Sequence, residues 1–414
     1  MQLIMLVLNF KKVFPFLLLS FPLVIDIING YLRGTDGAGE SLIGILYRGM
    51  IILFSAIYLF RTKYSNYIKI LILSSIALLI YHILIGAYSN GVFMALIKIM
   101  NFYFVLSIIL KSRYFSDRET VVKAAILYGV LAAIVLIYCF ITGAGYAAYT
   151  ENTFGTKGFF VAMNDVGLTI LLLNILACYS FQKTGDVFYF IALIIMSIGS
   201  CFVGSIACYL GTAFILLFFA LSILLVKFED YKSSYKVKLI TLLLVLVVFN
   251  YALVKVISVI QEDSYLSKKY ENIGAIFLEA SGRGYLIDAS VKTITNFNIF
   301  DWCFGKGNLY LIENQHHLCL GDPKSAEVDP LDLIGQFGLF FSIPILLFPI
   351  KRLIASIRSF IKWHNVLDYW CIIAFLCFIG HAFYGGHAYT SPLVLSYLAV
   401  FIYVLDNRDV NKYI

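Results

Sequence analysis

Apolar stretches of roughly 16 to 23 residues recur along the chain, separated by short polar connections, and each is long enough to cross about 30 Å of hydrocarbon as a helix. They fall near 13–29, 41–60, 67–88, 92–110, 121–142, 160–181, 186–200, 203–226, 237–257, 331–350, 369–386 and 389–405. The pattern predicts an all-α polytopic membrane protein with about 12 transmembrane helices. One interval breaks the rhythm. Residues 258–330, between the ninth and tenth spans, form a connection far longer than the others. Tyr, Phe, Leu and Ile are spread through it and a single Pro precedes residue 330, so its make-up is not that of a disordered linker. Long ordered loops in compact proteins usually carry function, and this one is expected to fold onto the membrane domain as a lid. Within it, SGRGYLIDASVKTITNF places Leu286, Ala289, Thr293 and Phe297 on one face at helical spacing after a Ser-Gly start, which predicts a helix over 284–297.

Composition agrees with this pattern, since 61% hydrophobic and 13% charged residues are too apolar a mixture for a soluble globular domain. Charge gives the orientation. With the N-terminus in the cytoplasm, 20 of the 31 Lys and Arg residues fall on the inner side. The outer side keeps Arg33, Arg48, Lys98 and Lys157, apart from those in or beside the long loop. Both termini are then cytoplasmic, the loop is extracytoplasmic, and the net charge of +7 reflects topology, not a nucleic-acid surface. Lys11 and Lys12 precede an apolar run, but no small-residue cleavage site follows and further spans do, so the first helix is expected to be retained. Residues 1–414 read as one membrane domain, with 258–330 as lid and part of the active site. The eight cysteines show no metal-ligand spacing, and Cys303 and Cys319, which share the loop, are candidates for a disulfide.

The loop ends in PKSAEVDPLDLIGQFG, which sets Glu327, Asp329 and Asp332 directly before an apolar run. Two explanations compete. Asp329 as N-cap, Pro330 as first helical residue and Asp332 three after the cap reproduce a capping box. Alternatively, a carboxylate beside excluded water is what a general base needs to take a proton from a substrate hydroxyl, and capping leaves Glu327 unexplained. Arg283 precedes the loop helix, where exposed N–H groups and a guanidinium make an anion site suited to a diphosphate; a solvated loop arginine is the plainer alternative. Arg48 lies about eight residues into its helix, about 12 Å deep at 1.5 Å per residue, where a cation is usually paired or faces a polar cavity. Asp26 is a possible partner for it. Lys98 and Lys157 can snorkel. Four of the six histidines, His316, His317, His381 and His387, fall on the outer side near the loop and are candidates for proton transfer, although a lone His is more often structural. The GKG at Gly305 to Gly307 lacks the spacing of a phosphate loop.

Taken in order, KGFFVAMND, SGRG, GKG, AEVDPLDLIGQFG and IGHAFYGGHA resemble the bacterial O-antigen polymerase and O-antigen ligase superfamily over about residues 155–400. The Glu-x-Asp-x-x-Asp and the Gly-His are most similar to its polysaccharide polymerases, which include teichuronic acid polymerases. The resemblance implies a fold similar to the C-type glycosyltransferase membrane folds. It implies an enzyme without cofactor or metal that transfers an undecaprenyl diphosphate-linked oligosaccharide, with inversion, at the outer face of the bacterial inner membrane. A chain-length regulator protein is an implied partner. Carried over by position, Arg283 matches the loop Gly-Arg, and His381 matches the Gly-His. Glu327, Asp329, Asp332, His381 and His317 are then the candidate catalytic residues, with Arg283, Arg48 and Lys157 for the diphosphate. Related sequences often open the eighth helix with Ser-Arg, whereas this chain has Ser205-Ile206. Ligases tend to carry a His-Asn in the loop, whereas His316-His317 is followed here by Leu318. A ligase and a lipid-linked oligosaccharide flippase remain the rivals; the sequence displays neither the repeated halves nor the broken helices expected of a transporter.

Overall fold

The computed structural model describes residues 13–33, 42–147, 155–228, 284–318 and 326–407. Within them the chain is a bundle of helices: α1 (Pro22–Arg33), α2 (Leu42–Ala56), α3 (Ser65–Leu84), α4 (Asn90–Lys111), α5 (Arg118–Thr142), α6 (Met163–Thr184), α7 (Val187–Phe202), α8 (Ile206–Leu224), α9 (Gly284–Thr295), α10 (Ile299–Phe304), α11 (Gly307–Leu318), α12 (Asp329–Trp363), α13 (Val366–Tyr384) and α14 (Pro392–Asp406). A hairpin of β1 (Tyr146–Ala147) and β2 (Thr156–Gly158) is the one sheet among the described residues. Among the described residues, eight helices are long and apolar enough to cross a membrane, and α2, α7 and α14 are shorter apolar helices. Large side chains such as Leu53, Leu73 and Ile141 point outward, which lipid tolerates and water does not. The protein is a multi-span all-α membrane protein. The expected ninth span, 237–257, lies outside the described residues.

Helix starts follow the capping chemistry of the sequence. Asp117, Asp186, Ser205, Asn365 and Ser391 each accept a hydrogen bond from the first turn of α5, α7, α8, α13 and α14. The Ser205 cap separates α7 from α8 within one nearly continuous apolar stretch.

The connections sort onto two faces. One is basic: Lys63 and Arg352 pair with Asp406 at 2.7 and 3.5 Å, Arg118 donates to the Tyr179 hydroxyl at 2.5 Å, and Phe228 packs on Phe360 and Tyr369. The other, the loop face, gathers residues 85–89, the hairpin, α9 to α11 and the 385–391 connection. The predicted loop helix is present as α9, ending at Thr295 and not at 297, with Leu286, Ala289 and Thr293 buried as its periodicity requires and Phe297 buried just past its end. Ile294, Phe297 and Leu311 form a small apolar core over Leu331 and Ile334 of α12. The described part of the long loop is therefore packed onto the bundle.

The sequence reading found no broken helix, and the structure corrects it. Helix α12 is interrupted at Gly338, whose φ of 67° and ψ of 179° belong to a region essentially reserved for glycine. A side chain there would overlap the Cys303 carbonyl and the Phe304 amide, so α10 sits in the notch. The Ser342 hydroxyl, donating to the Leu333 carbonyl at 2.8 Å, repairs one hydrogen bond lost at the break.

Candidate functional site

The three carboxylates at the start of α12 have distinct local roles. Asp329 is buried and its carboxylate accepts hydrogen bonds from the backbone amides of His387 at 2.6 Å and Tyr389 at 2.9 Å. Asp332, also buried, accepts from the Ala326 amide at 3.1 Å. This corrects the capping-box expectation. Val328 stands at the cap without a side-chain bond, and Asp329 ties α12 to the α13–α14 connection instead of closing its own first turn. A carboxylate can do this because two convergent N–H donors replace the water it loses on burial. Glu327 is half-buried with a left-handed φ of 55°, and a Cβ on Gly386 would come within 2.5 Å of its carbonyl oxygen. Only glycine lets the two backbones meet so closely, which explains part of the GGH sequence.

That connection presents His387, an exposed imidazole on a residue with φ of 62°. Asp329 and Asp332 lie within electrostatic reach of it, as does Asp165 from the first turn of α6. Asp165 also hydrogen-bonds Ser391 and interacts with Lys98 of α4 and Arg48 of α2. Arg48 in turn interacts with Asp26 of α1, the partner suggested by its depth, and Asp26 accepts from the Tyr128 hydroxyl at 2.9 Å. Ionisable side chains from α1, α2, α4 and α6 thus meet in the loop-face half of the bundle, next to the residues at the start of α12. Ionisable groups in such a place are costly unless paired, and are characteristically functional.

Sequence reasoning quoted Asp165 only inside KGFFVAMND and did not select it. The available signal was simple: an acid opening an otherwise apolar window. Of the selected residues, Glu327, Asp329, Asp332 and Arg48 belong to this assembly. His381 is buried in α13, its ring packed where a side chain on Gly385 would stand, and Asn164 beside Asp165 donates to the Gly385 carbonyl at 3.3 Å. Lys157, in β2, stands over the Tyr146 ring at 5.6 Å. Arg283, Cys319 and the side chains of His316 and His317 lie outside the described residues.

The GKG turn has a structural use. His82 of α3 faces the carbonyls of Phe304 and Gly305, each at 3.2 Å, and Lys306 pairs with Asp301 at 3.2 Å over the Tyr310 ring. Partial burial pulls the Lys306 ammonium down, but Asp301 and Tyr310 outweigh it and hold the group above its usual range. Burial, then the Asp329 carboxylate, pushes the Tyr389 phenol up.

Among the described residues no set of three or more His, Cys, Asp or Glu side chains is placed to hold a metal ion. A small, mostly apolar pocket lies among α4, α12, α13 and α14, lined by Phe102, Tyr103, Phe348 and Tyr389. Tyr389, one of its lining residues, also donates its backbone amide to the Asp329 carboxylate. Comparison of the chain with protein-family models and with curated proteins gives no match.

Proposed function

We propose that this protein is a membrane glycosyltransferase of the polysaccharide polymerase kind, joining undecaprenyl diphosphate-linked repeat units of an O-antigen or related surface glycan. The observation that carries the reading is the gathering of acids, cations and an imidazole at one end of the bundle, beneath packed loop helices. Breaking a sugar C1–O bond to a diphosphate places positive charge on the sugar and negative charge on the leaving group, so cations near the diphosphate lower the barrier. A carboxylate or imidazole on the other side activates the acceptor hydroxyl. Arg283, Arg48 and Lys157 are the proposed diphosphate ligands. Glu327, Asp329, Asp332, His381 and His317 are the proposed acceptor-side groups; the two aspartates act by holding the backbone of that side.

The finer topology belongs to the same proposal: about twelve spans in the bacterial inner membrane, both termini cytoplasmic, and the loop face outside. The concentration of Lys and Arg on the opposite face supports it, as does the passage of the chain from the basic face at Phe228 to the loop face at Leu286. A chain-length regulator is a proposed partner. The break at Gly338 favours a second reading, a flippase for the same lipid-linked oligosaccharide, because interrupted helices recur in transporters. A deletion strain separates the readings. A surface glycan carrying one repeat unit supports the polymerase, and loss of all surface glycan refutes it in favour of a flippase or ligase.

A further inference from the structure

Taking the glycosyltransferase reading as its basis, we infer that His387 is the group that accepts the proton from the attacking sugar hydroxyl, with Asp165 as its positioning residue. Among the described histidines of the loop face, His381 is buried in α13, whereas His387 is exposed where an acceptor can reach it. Its backbone is pinned by the Asp329 carboxylate and carries a left-handed φ, a conformation that costs energy in a non-glycine residue and persists only where neighbours impose it. Asp165, in the first turn of α6, and Asp329, at the start of α12, lie within electrostatic reach of the imidazole. Those acids are suited to stabilising an imidazolium as it forms, in the manner of the carboxylate behind a catalytic histidine. Asp165 in turn is fixed by Ser391 and balanced by Lys98 and Arg48, which keeps its charge from being left alone in the bundle.

The step balances without a further reactant. The acceptor oxygen bonds to the anomeric carbon as its proton passes to a ring nitrogen of His387. The C1–O bond to the lipid diphosphate breaks, and its electron pair leaves on the diphosphate oxygen. His387, being exposed, then returns the proton to solvent.

The test uses the full-length protein purified in lipid nanodiscs, with a lipid-linked repeat unit as substrate. His387→Asn keeps a residue that tolerates the left-handed conformation but accepts no proton. His387→Gly relieves the strain and opens space for added imidazole. Both variants are expected to lose about a hundredfold or more in turnover at unchanged thermal stability, the scale of a missing general base. Imidazole is expected to restore His387→Gly in part. Asp165→Asn is expected to lower kcat while leaving KM for the donor unchanged. Turnover of His387→Asn near wild type, or His387→Gly that imidazole does not restore, overturns the assignment while the wild type still polymerises. A wild type that makes no product overturns the glycosyltransferase reading itself.

Discussion

Replacing Asp329 by Asn isolates what the buried carboxylate does. In the structure its two oxygens accept from the amides of His387 and Tyr389 at 2.6 and 2.9 Å. An asparagine keeps one acceptor and turns an NH2 toward the other N–H, so one charge-assisted bond is lost and a buried donor is left without a partner. A hydrogen bond to a charged group contributes about 1.5–3 kcal/mol, and an unsatisfied buried donor costs about 1–3 kcal/mol. Together these come to about 2.5–6 kcal/mol for opening the α13–α14 connection, roughly a sixtyfold change or more in its local equilibrium. Hydrogen exchange at the His387 and Tyr389 amides in nanodiscs reads that equilibrium directly. If Asp329 were only an N-cap, asparagine would serve nearly as well and exchange would not change. Protection within about threefold of wild type at both amides would therefore refute the tie between α12 and this connection.

Three further outcomes are expected. Gly338→Ala forces a side chain into backbone atoms of α10 and a forbidden conformation, so exchange at the Gly305 and Lys306 amides rises by about a hundredfold or more, while a wild-type pattern would mean the break is not imposed by packing. Arg283→Ala abolishes polymerisation and Arg283→Lys only partly restores it, since a planar guanidinium grips a diphosphate at two points and an ammonium does not; wild-type chain lengths from a well-expressed Arg283→Ala would remove the diphosphate role. Cysteine placed by Ser325→Cys reacts with a membrane-impermeant reagent in intact cells, and labelling only after lysis would invert the topology.

What the sequence made legible was whatever depends on periodicity and local signals. Lengths of apolar runs located the described spans, and the 3.6-residue spacing of Leu286, Ala289 and Thr293 located the buried face of α9. The cost of a cation at the depth of Arg48 pointed to Asp26, which lies within electrostatic reach of it. Tertiary partners were not legible. Asp329, Pro330 and Asp332 satisfy a capping pattern in sequence, but the donors that use Asp329 come from residues 387 and 389, which no local rule connects to it. The break at Gly338 was hidden for a similar reason: GQFG is compatible with a continuous helix, and the packing of α10 against it decides otherwise. His387 gained its significance only from where Asp165 and Asp329 stand around it.

The central claim is tested most directly by incubating the purified protein, in proteoliposomes, with an undecaprenyl diphosphate-linked repeat unit as the sole substrate. The account predicts a ladder of lipid-linked glycans of increasing length, with one undecaprenyl diphosphate released for each unit joined. Substrate that crosses the bilayer but never exceeds a single unit would contradict it.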